Sequence, residues 1–304
     1  ERQERPIVYM FPGGGTQYVN MGKGLYRQEP IFREVVDQCA TILHRLIGFD
    51  LRRKLFVESD LEQAQEEMKE ASLALPALFT ISYAMSRLLL TWGLEPQAMI
   101  GHSMGEYVAA CLAGVFSLEE ALAVVVKRGQ LFAQLPPGAM VSIPLGAEQV
   151  RPFLDPRLSF AAINAPDQCV VSGPVAAVDT FVNTLTERQI EFRHLQINVA
   201  AHSPMIDLII QPFTQFISSL KLQPPSRPFI SSVSGTWITN EEAISPAYWG
   251  SQLRQTVQFS DGIALLLSEP SYVFLEVGPG RALSTLAQLQ SDRERRHSIL
   301  ATLR

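Results

Sequence analysis

Cysteine is scarce in this sequence of 304 residues, which contains only three. Cys39, Cys111 and Cys169 lie far apart, so they provide neither a disulfide framework nor the spacing of metal ligands. A chain of this length buries a sizeable core without such cross-links. The scarcity argues against a small disulfide-stabilised secreted domain. It predicts that the protein has no metal site and works in a reducing, cytoplasmic setting.

An excess of positive charge is also absent. The chain carries 25 Lys and Arg against 30 Asp and Glu, a formal net charge of −5, and has no dense basic cluster. Because binding to phosphates requires a basic surface, nucleic acid is not expected as a partner. The composition of 47% hydrophobic and 18% charged residues argues against both disorder and a coiled coil.

Long apolar runs are missing as well. No uncharged run approaches the roughly 18 residues that a membrane helix needs, and the stretch 77–90 is shorter and contains Ser and Arg. The charged start, residues 1–5, differs from a signal peptide. We therefore expect a soluble α/β protein with no membrane partner. Because the chain starts with Glu, we also expect it to be a piece of a longer protein.

The regular pattern of apolar residues predicts a core built from two segments, 1–134 and 199–304. Short apolar runs at 6–11, 97–101 and 273–277 end at glycine and predict buried strands. The predicted helices are those over 31–46, over 77–92 with Pro76 at its start, over 104–113, from the capping box at Ser117 to about residue 132, and over 205–220.

The pattern changes between these two segments. Residues 135–198 alternate four strand-like runs with two helical stretches in the order βαββαβ. The last of the four runs covers 192–197. This order over about 60 residues is typical of a ferredoxin-like subdomain. The sequence therefore predicts a small domain inserted into the larger core.

The strongest local motif is Gly-His-Ser-Met-Gly at residues 101–105, between a predicted strand and a predicted helix. A serine on such a sharp turn points away from the sheet, and the flanking glycines leave room for the tight backbone. The start of the following helix directs N–H groups toward developing negative charge. In this context Ser103 is a candidate nucleophile.

A nucleophilic serine needs a base. His202 lies between two alanines and the Ser-Pro pair 203–204, just ahead of a predicted helix, so we expect an accessible imidazole there. It is the favoured candidate. The other histidines are expected at the surface, in the core, in a charged tail or pointing away from the turn, and they are His44, His102, His194 and His297.

Arg128 follows the apolar stripe of the helix that starts after Ser117, so we expect it on the buried face. An unpaired guanidinium there costs several kcal/mol, so it requires an anion. Two readings remain open at this point. The anion is either a protein carboxylate or the free carboxylate of a substrate, held by two hydrogen bonds.

Five separated motifs carry a family resemblance. They occur in this order: Phe-Pro-Gly-Gly-Gly-Thr-Gln at 11–17, Gly-His-Ser-Met-Gly-Glu at 101–106, Asn-Ala-Pro at 164–166, His-Ser-Pro at 202–204 and Glu-Val-Gly-Pro at 276–279. Together they resemble the acyltransferase domains of modular polyketide synthases, relatives of malonyl-CoA:acyl carrier protein transacylase. The resemblance implies an α/β-hydrolase-like core with a mostly parallel sheet and an inserted ferredoxin-like subdomain.

The resemblance also assigns roles to residues. It implies Ser103 as nucleophile, His202 as base and Arg128 as the ligand of the substrate carboxylate. The remaining assignments are the oxyanion-hole amides of Gly14 and Met104 and the histidine-orienting backbone carbonyl of Gln252. No permanent cofactor is implied. The implied partners are an acyl-CoA donor, an acyl carrier protein whose phosphopantetheine thiol accepts the acyl group, and a neighbouring ketosynthase.

Three positions depart from the family pattern. Gly14 and Leu75 each stand where the family commonly has Gln, and residues 199–202 read Val-Ala-Ala-His. That motif is neither the malonyl-type His-Ala-Phe-His nor the methylmalonyl-type Tyr-Ala-Ser-His. The resemblance therefore makes Met104, Val199 and Ala201 the expected specificity residues. Met104 favours malonyl, whereas Ala201 leaves space for an α-methyl group; malonyl is expected over methylmalonyl.

Two other functions stay open at this stage. A serine hydrolase acting on thioesters or esters would place an acidic residue between Ser103 and His202. The aspartates there all fall in the predicted insertion, and they are Asp155, Asp167 and Asp179. A non-catalytic docking domain of a synthase would lose Ser103, His202 or Arg128, and all three are present.

Overall fold

The computed structural model describes residues 5–269, 271–291 and 297–303. Most of the charged start that differs from a signal peptide, residues 1–4, lies outside this range, as does Arg304. The strands are β1 (Ile7–Phe11), β2 (Pro96–Gly101), β3 (Gly138–Ile143), β4 (Ser159–Ala165), β5 (Gln168–Pro174), β6 (Arg193–His194), β7 (Phe229–Ile230), β8 (Val257–Gln258), β9 (Val273–Pro279) and β10 (Ser298–Leu303).

Helices cover both the core and the insertion. They are α1 (Lys23–Gln28), α2 (Pro30–Ile47), α3 (Leu51–Leu55), α4 (Leu61–Glu67), α5 (Ala71–Thr91), α6 (Gly105–Leu112), α7 (Leu118–Phe132), α8 (Ala147–Val150), α9 (Val175–Glu187), α10 (Asp207–Ile217), α11 (Asn240–Ala243), α12 (Pro246–Arg254), α13 (Phe259–Ser268) and α14 (Ala282–Gln290). Short 3₁₀ turns cover Arg151–Phe153 and Pro204–Ile206.

The larger sheet has five parallel strands in the order β10-β9-β1-β2-β7. Its central strands are apolar throughout because helices cover both faces of a parallel sheet. Strand β1, Ile-Val-Tyr-Met-Phe, is buried from its second residue onward. Phe11 at the end of β1 pairs with Gly101 at the end of β2. The loops that follow these two strands therefore start side by side at one edge of the sheet.

The smaller sheet has the order β6-β3-β5-β4-β8. Strands β3 to β6 form the predicted βαββαβ unit, and they pair with one another in antiparallel fashion. Their side chains build a second apolar cluster with α9. The fifth strand, β8, comes from the core segment and pairs parallel with β4, so the small sheet extends beyond residues 135–198. The predicted fold class, an α/β-hydrolase-like core with a ferredoxin-like insertion, is confirmed.

Two predicted elements differ from the structure. Helix α5 begins at Ala71, and Pro76 lies inside it. A proline this near the start removes one helical hydrogen bond, and the helix is almost entirely buried, which outweighs the loss. The strand predicted over 192–197 is reduced to Arg193–His194, because only Val141 and Ser142 of β3 pair with it.

Helix α5 also qualifies the prediction about membrane segments. Its 21 residues are long and apolar enough to cross a membrane by length and composition alone. In the structure, 89% of its most apolar window is buried inside the protein. It packs against α2, α7 and β9, the position of a central core helix.

Candidate active site

The nucleophile loop, residues 101–106, connects β2 to α6 and holds Ser103 in a left-handed conformation with φ of 50°. Its two glycines make this turn possible. A Cβ on Gly101 would lie 2.1 Å from the backbone N of Glu106, and a Cβ on Gly105 would lie 2.1 Å from the carbonyl oxygen of Phe11. The loop is therefore pressed against the end of β1, and Ser103 lies at its left-handed turn.

Ser103 and His202 meet as the sequence predicts. The Oγ of Ser103 lies 2.8 Å from Nε2 of His202. The other ring nitrogen, Nδ1, lies 2.7 Å from the carbonyl oxygen of Gln255. Because a carbonyl only accepts, Nδ1 carries the hydrogen, and Nε2 of the neutral ring is free to accept from the serine hydroxyl.

The prediction that Gln252 supplies the histidine-orienting carbonyl is wrong. The residue is Gln255, which follows the last turn of α12. Gln252 lies within the last turn of α12, whereas Gln255 is the C-cap of that helix, where the chain is extended and the carbonyl can face the imidazole. Within the described residues no carboxylate contacts His202, so the acidic residue of a hydrolase triad has no counterpart here.

The histidine loop, residues 199–204, is held by groups from other parts of the chain. His202 has a φ of 59°, a second left-handed residue at the site. The hydroxyl of Ser172 in β5 donates to the carbonyl of Ala201 at 2.9 Å. A Cβ on Gly138 would lie 2.4 Å from the backbone N of Ala200, so β3 approaches the loop closely.

Arg128 on α7 is 2% exposed and donates from Nη2 to Ser103 Oγ at 2.9 Å. Its guanidinium lies 5.5 Å from the ring centre of Tyr107 and 5.2 Å from that of Phe132. Nε and Nη1 have no hydrogen-bond partner, and no carboxylate pairs with Arg128, among the described residues. Burial lowers the pKa of this guanidinium. A buried cation with two free donors is a site for an anion.

Burial and the nearby Arg128 both affect the pKa of His202, the predicted base. They lower the pKa of His202 from 6.5 to about 3, with burial the larger cause. The ring is therefore neutral at all ordinary pH values, which is the form that accepts a proton from serine.

Two residues that line the same cavity as Ser103 are the predicted sources of oxyanion-hole amides. Met104 occupies the N-cap of α6, and Gly14 lies in the turn that follows β1. Both residues line the cavity, and neither N–H donates to another described residue. A Cβ on Gly14 would meet only a methyl carbon of Leu75, at 3.8 Å, so the two departures from the family pattern are neighbours. Free N–H groups in this position can stabilise an oxyanion.

A cavity of about 1210 Å³ opens above these groups and is lined by strands β3, β4 and β5 of the smaller sheet and by loops and helices of the core. Its lining includes the predicted specificity residues Met104, Val199 and Ala201. Tyr107, which supports Arg128 from behind, does not line it. No group of three or more His, Cys, Asp or Glu side chains among the described residues is placed to hold a metal ion.

The remaining histidines lie apart from Ser103 Oγ. His102 contacts Asn164 Oδ1 through Nε2 at 2.9 Å and so joins the nucleophile loop to β4. His44 and His194 are exposed, and His297 contacts the carbonyl of Leu267.

Sequence reasoning missed one buried group. Glu106 is fully buried behind Ser103, and burial raises the pKa of its carboxyl to about 7. The available signal was an acidic residue directly after the glycine of the motif, in an otherwise apolar helix.

Known proteins are similar to this chain in sequence and in fold. The sequence model of the family described as "Acyl transferase domain" matches residues 8–294. The chain belongs to this family. The acyltransferase is 36% identical over 300 residues to a phenolphthiocerol/phthiocerol polyketide synthase of Mycobacterium tuberculosis, covering 98% of this chain and 20% of the relative. It is 35% identical to the spectinabilin polyketide synthase system protein NorB of Streptomyces orinoci, covering 94% and 13%. It thus spans a fifth or less of these relatives.

Solved structures agree. The acyltransferase superposes on the acyl transferase domain of SpnD, solved in complex with 2-(pent-4-yn-1-yl)malonyl, with a TM-score of 0.92 at 42% identity, covering 99% of this chain and 72% of that one. The acyl transferase domain of ZmaA gives 0.89 at 39% identity, covering 100% and 71%. Malonyl-CoA:acyl carrier protein transacylase from Helicobacter pylori, at 24% identity, shares the fold with a TM-score of 0.85, covering 98% and 94%. The predicted family and the prediction of a transferase are confirmed.

Proposed function

We propose that this acyltransferase moves a malonyl-type extender unit from acyl-CoA to the phosphopantetheine thiol of an acyl carrier protein, through an acyl ester on Ser103. The observation that carries the proposal is the position of Ser103 Oγ, which lies within hydrogen-bond distance of both a neutral imidazole and a buried, unpaired guanidinium. One contact suits proton removal, and the other suits a substrate that carries a carboxylate.

The chemical steps follow from these contacts. His202 Nε2 takes the proton of Ser103 as Oγ attacks the thioester carbonyl, and the N–H groups of Gly14 and Met104 bind the resulting oxyanion. The C–S bond breaks, and CoA leaves as the thiol with the proton from His202. In the second half, the carrier thiol gives its proton to His202 and its sulfur attacks the ester. Ser103 then recovers the proton as the acyl group departs.

The unpaired guanidinium favours a transferase of dicarboxylic acyl groups over an esterase. Arg128 Nε and Nη1 are free to bind the distal carboxylate of a malonyl group while the thioester carbonyl lies at Ser103. A neutral ester would leave the buried charge uncompensated. Among the solved relatives, the SpnD domain was captured with a substituted malonyl group, which is consistent with this assignment.

Among malonyl-type groups, we assign malonyl over methylmalonyl. The fully buried Met104 presents an apolar side chain next to the nucleophile. The small Ala201, 8% exposed, leaves room beside His202 that a larger acyl group would use. One methylene in an apolar pocket is worth only about 1–3 kcal/mol, so discrimination from this pocket is modest.

The expected surroundings of the domain belong to the same proposal. Because the curated relatives are polyketide synthases many times longer than this chain, the carrier protein and a ketosynthase are expected on the same or a partner polypeptide. A cytoplasmic location, no permanent cofactor, and no nucleic-acid or membrane partner complete the assignment.

Intact-mass spectrometry tests the proposal. Mixing the protein with malonyl-CoA should add the mass of one malonyl group, and adding a phosphopantetheinylated carrier protein should remove it. Ser103→Ala should show no added mass. A malonyl adduct of equal yield on Ser103→Ala would overturn the assignment of the nucleophile, and an adduct that water removes as fast as the carrier protein would favour the hydrolase.

A further inference from the structure

A chain of buried polar side chains lies directly behind the nucleophile loop, on the side away from the cavity. Gln252 of α12 is 1% exposed, and its Nε2 donates to the carbonyl oxygen of Ser103 at 2.7 Å. The same amide nitrogen donates to Oε2 of Glu106 at 3.2 Å. Its Oε1 accepts from the hydroxyl of Tyr107 at 2.9 Å. Every polar atom of the Gln252 side chain is thus engaged, which leaves it a single orientation.

Glu106 anchors this arrangement. Its Oε2 also accepts from the backbone N of Ser232 at 3.3 Å and from the Ser232 hydroxyl, and its Oε1 accepts from the hydroxyl of Tyr248. The carboxyl is fully buried with no cation bonded to it in the described chain. A buried carboxyl surrounded by donors is costly to disturb, since removing one donor disturbs the others.

The contact matters because Ser103 is strained. A left-handed φ costs a non-glycine residue about 1–3 kcal/mol and persists only where surrounding contacts enforce it. The Ser103 carbonyl has two donors, the backbone N of Glu106 at 3.2 Å and the shorter contact from Gln252. The carbonyl direction fixes the 103–104 peptide plane, and that plane carries the Met104 N–H.

We propose that Gln252, held in place by Glu106, is a positioning residue that fixes the backbone of Ser103, and with it the direction of the hydroxyl and of the Met104 N–H. The inference rests on Ser103 being the nucleophile of the proposed function. It gives Gln252 a role through its side chain, distinct from the carbonyl role that the family resemblance implied and that Gln255 occupies.

The arrangement tolerates titration of Glu106. A proton on Oε1 can be donated to the oxygen of Tyr248, whose hydroxyl then donates to Ser231 Oγ at 2.7 Å. Oε2 then still accepts from Gln252, so both protonation states hold the amide.

Gln252→Met tests the role, because methionine keeps the length and bulk of the side chain but removes the donor. Acylation of Ser103 should be followed by rapid-quench mass spectrometry with malonyl-CoA, with acetyl-CoA, and with a sulfonyl fluoride, which reacts with nucleophilic serine without using Arg128. We expect the maximum rate to fall about 10-fold with all three reagents, the loss typical of one hydrogen bond, and the half-saturating malonyl-CoA concentration to change less than about 2-fold.

Ser232→Ala is the matched control, since it removes the hydroxyl donor to Glu106 and the long 3.4 Å contact from Gln252 to that hydroxyl, but leaves the backbone donor of Ser232 and the contact between Gln252 and Ser103; a loss below about 2-fold is expected. If Gln252→Met does not fold, Tyr107→Phe frees Oε1 of the amide while keeping the ring beside Arg128, and should slow the sulfonyl fluoride about 3-fold. An unchanged sulfonyl fluoride rate in a folded variant would overturn the proposal. A wild-type protein that reacts with the sulfonyl fluoride but not with malonyl-CoA would instead refute the proposed function.

Discussion

The nucleophile loop and the histidine loop each hold one reacting side chain on a left-handed backbone, yet they are built in different ways. Ser103, with φ of 50°, sits on a turn between strand β2 and helix α6, and the glycines of that turn lie against atoms of the loop itself or of the end of β1. His202, with φ of 59°, sits on a loop held by the smaller sheet, through Ser172 of β5, and by the residue after α12.

The difference teaches which half of the site is adjustable. The nucleophile loop is held by contacts within the core, namely the pairing of β1 with β2 and the hydrogen bond from Gln252 to the Ser103 carbonyl. The histidine loop depends on the packing of the small sheet against the core, through Ser172 and through Gly138 against Ala200. A displacement of the small sheet would therefore alter the contact between His202 and Ser103 and the pocket beside Ala201.

The largest effect is expected from substitution of Arg128, because this residue connects the two loops: it contacts Ser103 and lowers the pKa of His202. Arg128→Ala should lower malonyl-CoA turnover by roughly 30- to 1,000-fold, from about 2–4 kcal/mol for a shielded carboxylate pair. Acetyl-CoA has no distal carboxylate, so its turnover should be nearly unchanged or improved. Steady-state assays of both substrates decide it, and equal losses would assign Arg128 to structure alone.

The second effect concerns pH and the histidine loop. Because the pKa of His202 is about 3, Ser103 acylation at pH 5 should be within about 2-fold of that at pH 7.5, whereas a histidine with pKa of about 6.5 would lose about 30-fold. Stopped-flow measurement of CoA release at both pH values checks this. A fall in the acylation rate with an apparent pKa near 6.5 would contradict the buried, neutral imidazole.

Circular dichroism is the control for that experiment, because the same pKa shift affects stability. The unfolded chain takes up a proton at His202 near pH 6.5 and the folded chain does not, which lowers the free energy of unfolding as the pH drops. The raised pKa of Glu106 acts in the opposite direction between about pH 7 and 4.5, because there the folded chain binds a proton that the unfolded chain does not. The fall caused by His202 should therefore appear mainly between about pH 4.5 and 3. Protonation of Glu106 leaves its contact with Gln252 in place.

The smallest effect concerns the pocket that the histidine loop borders. With equimolar malonyl-CoA and methylmalonyl-CoA, the ratio of adduct masses on Ser103 should favour malonyl, and Ala201→Phe should raise that ratio by about 10-fold because the ring fills the space of an α-methyl group. A methylmalonyl adduct in clear excess on the unchanged protein would refute the preference for malonyl.

The two loops also differ in how far the sequence predicts them. The strand, the glycines and the helix around Ser103 lie within a few residues of each other, so this loop can be predicted from the local sequence. The capping box at Ser117 is likewise present as predicted. The partner of His202 lies 53 positions away and is a backbone carbonyl, which any residue type supplies. That is why the position carried over from the family resemblance is Gln252 and not Gln255.

Long-range burial accounts for the other differences. Local rules place the start of α5 at Pro76, but packing on all sides extends the helix back to Ala71. Glu106 reads as an ordinary acidic residue in sequence, and only the fold brings Ser232 and Tyr248 to its carboxyl. Strand β8 has no clear signal in the sequence, because it has only two residues and they form a strand only by pairing with β4.

The lone guanidinium of Arg128 has a consequence for engineering. It is a buried charge without a counter-ion among the described residues, so the fold carries its desolvation cost. Replacing such a group with an apolar side chain of similar volume often raises stability. A selection for heat resistance alone would therefore favour leucine or methionine at position 128. The most stable variants would then be those that no longer bind the substrate through its carboxylate.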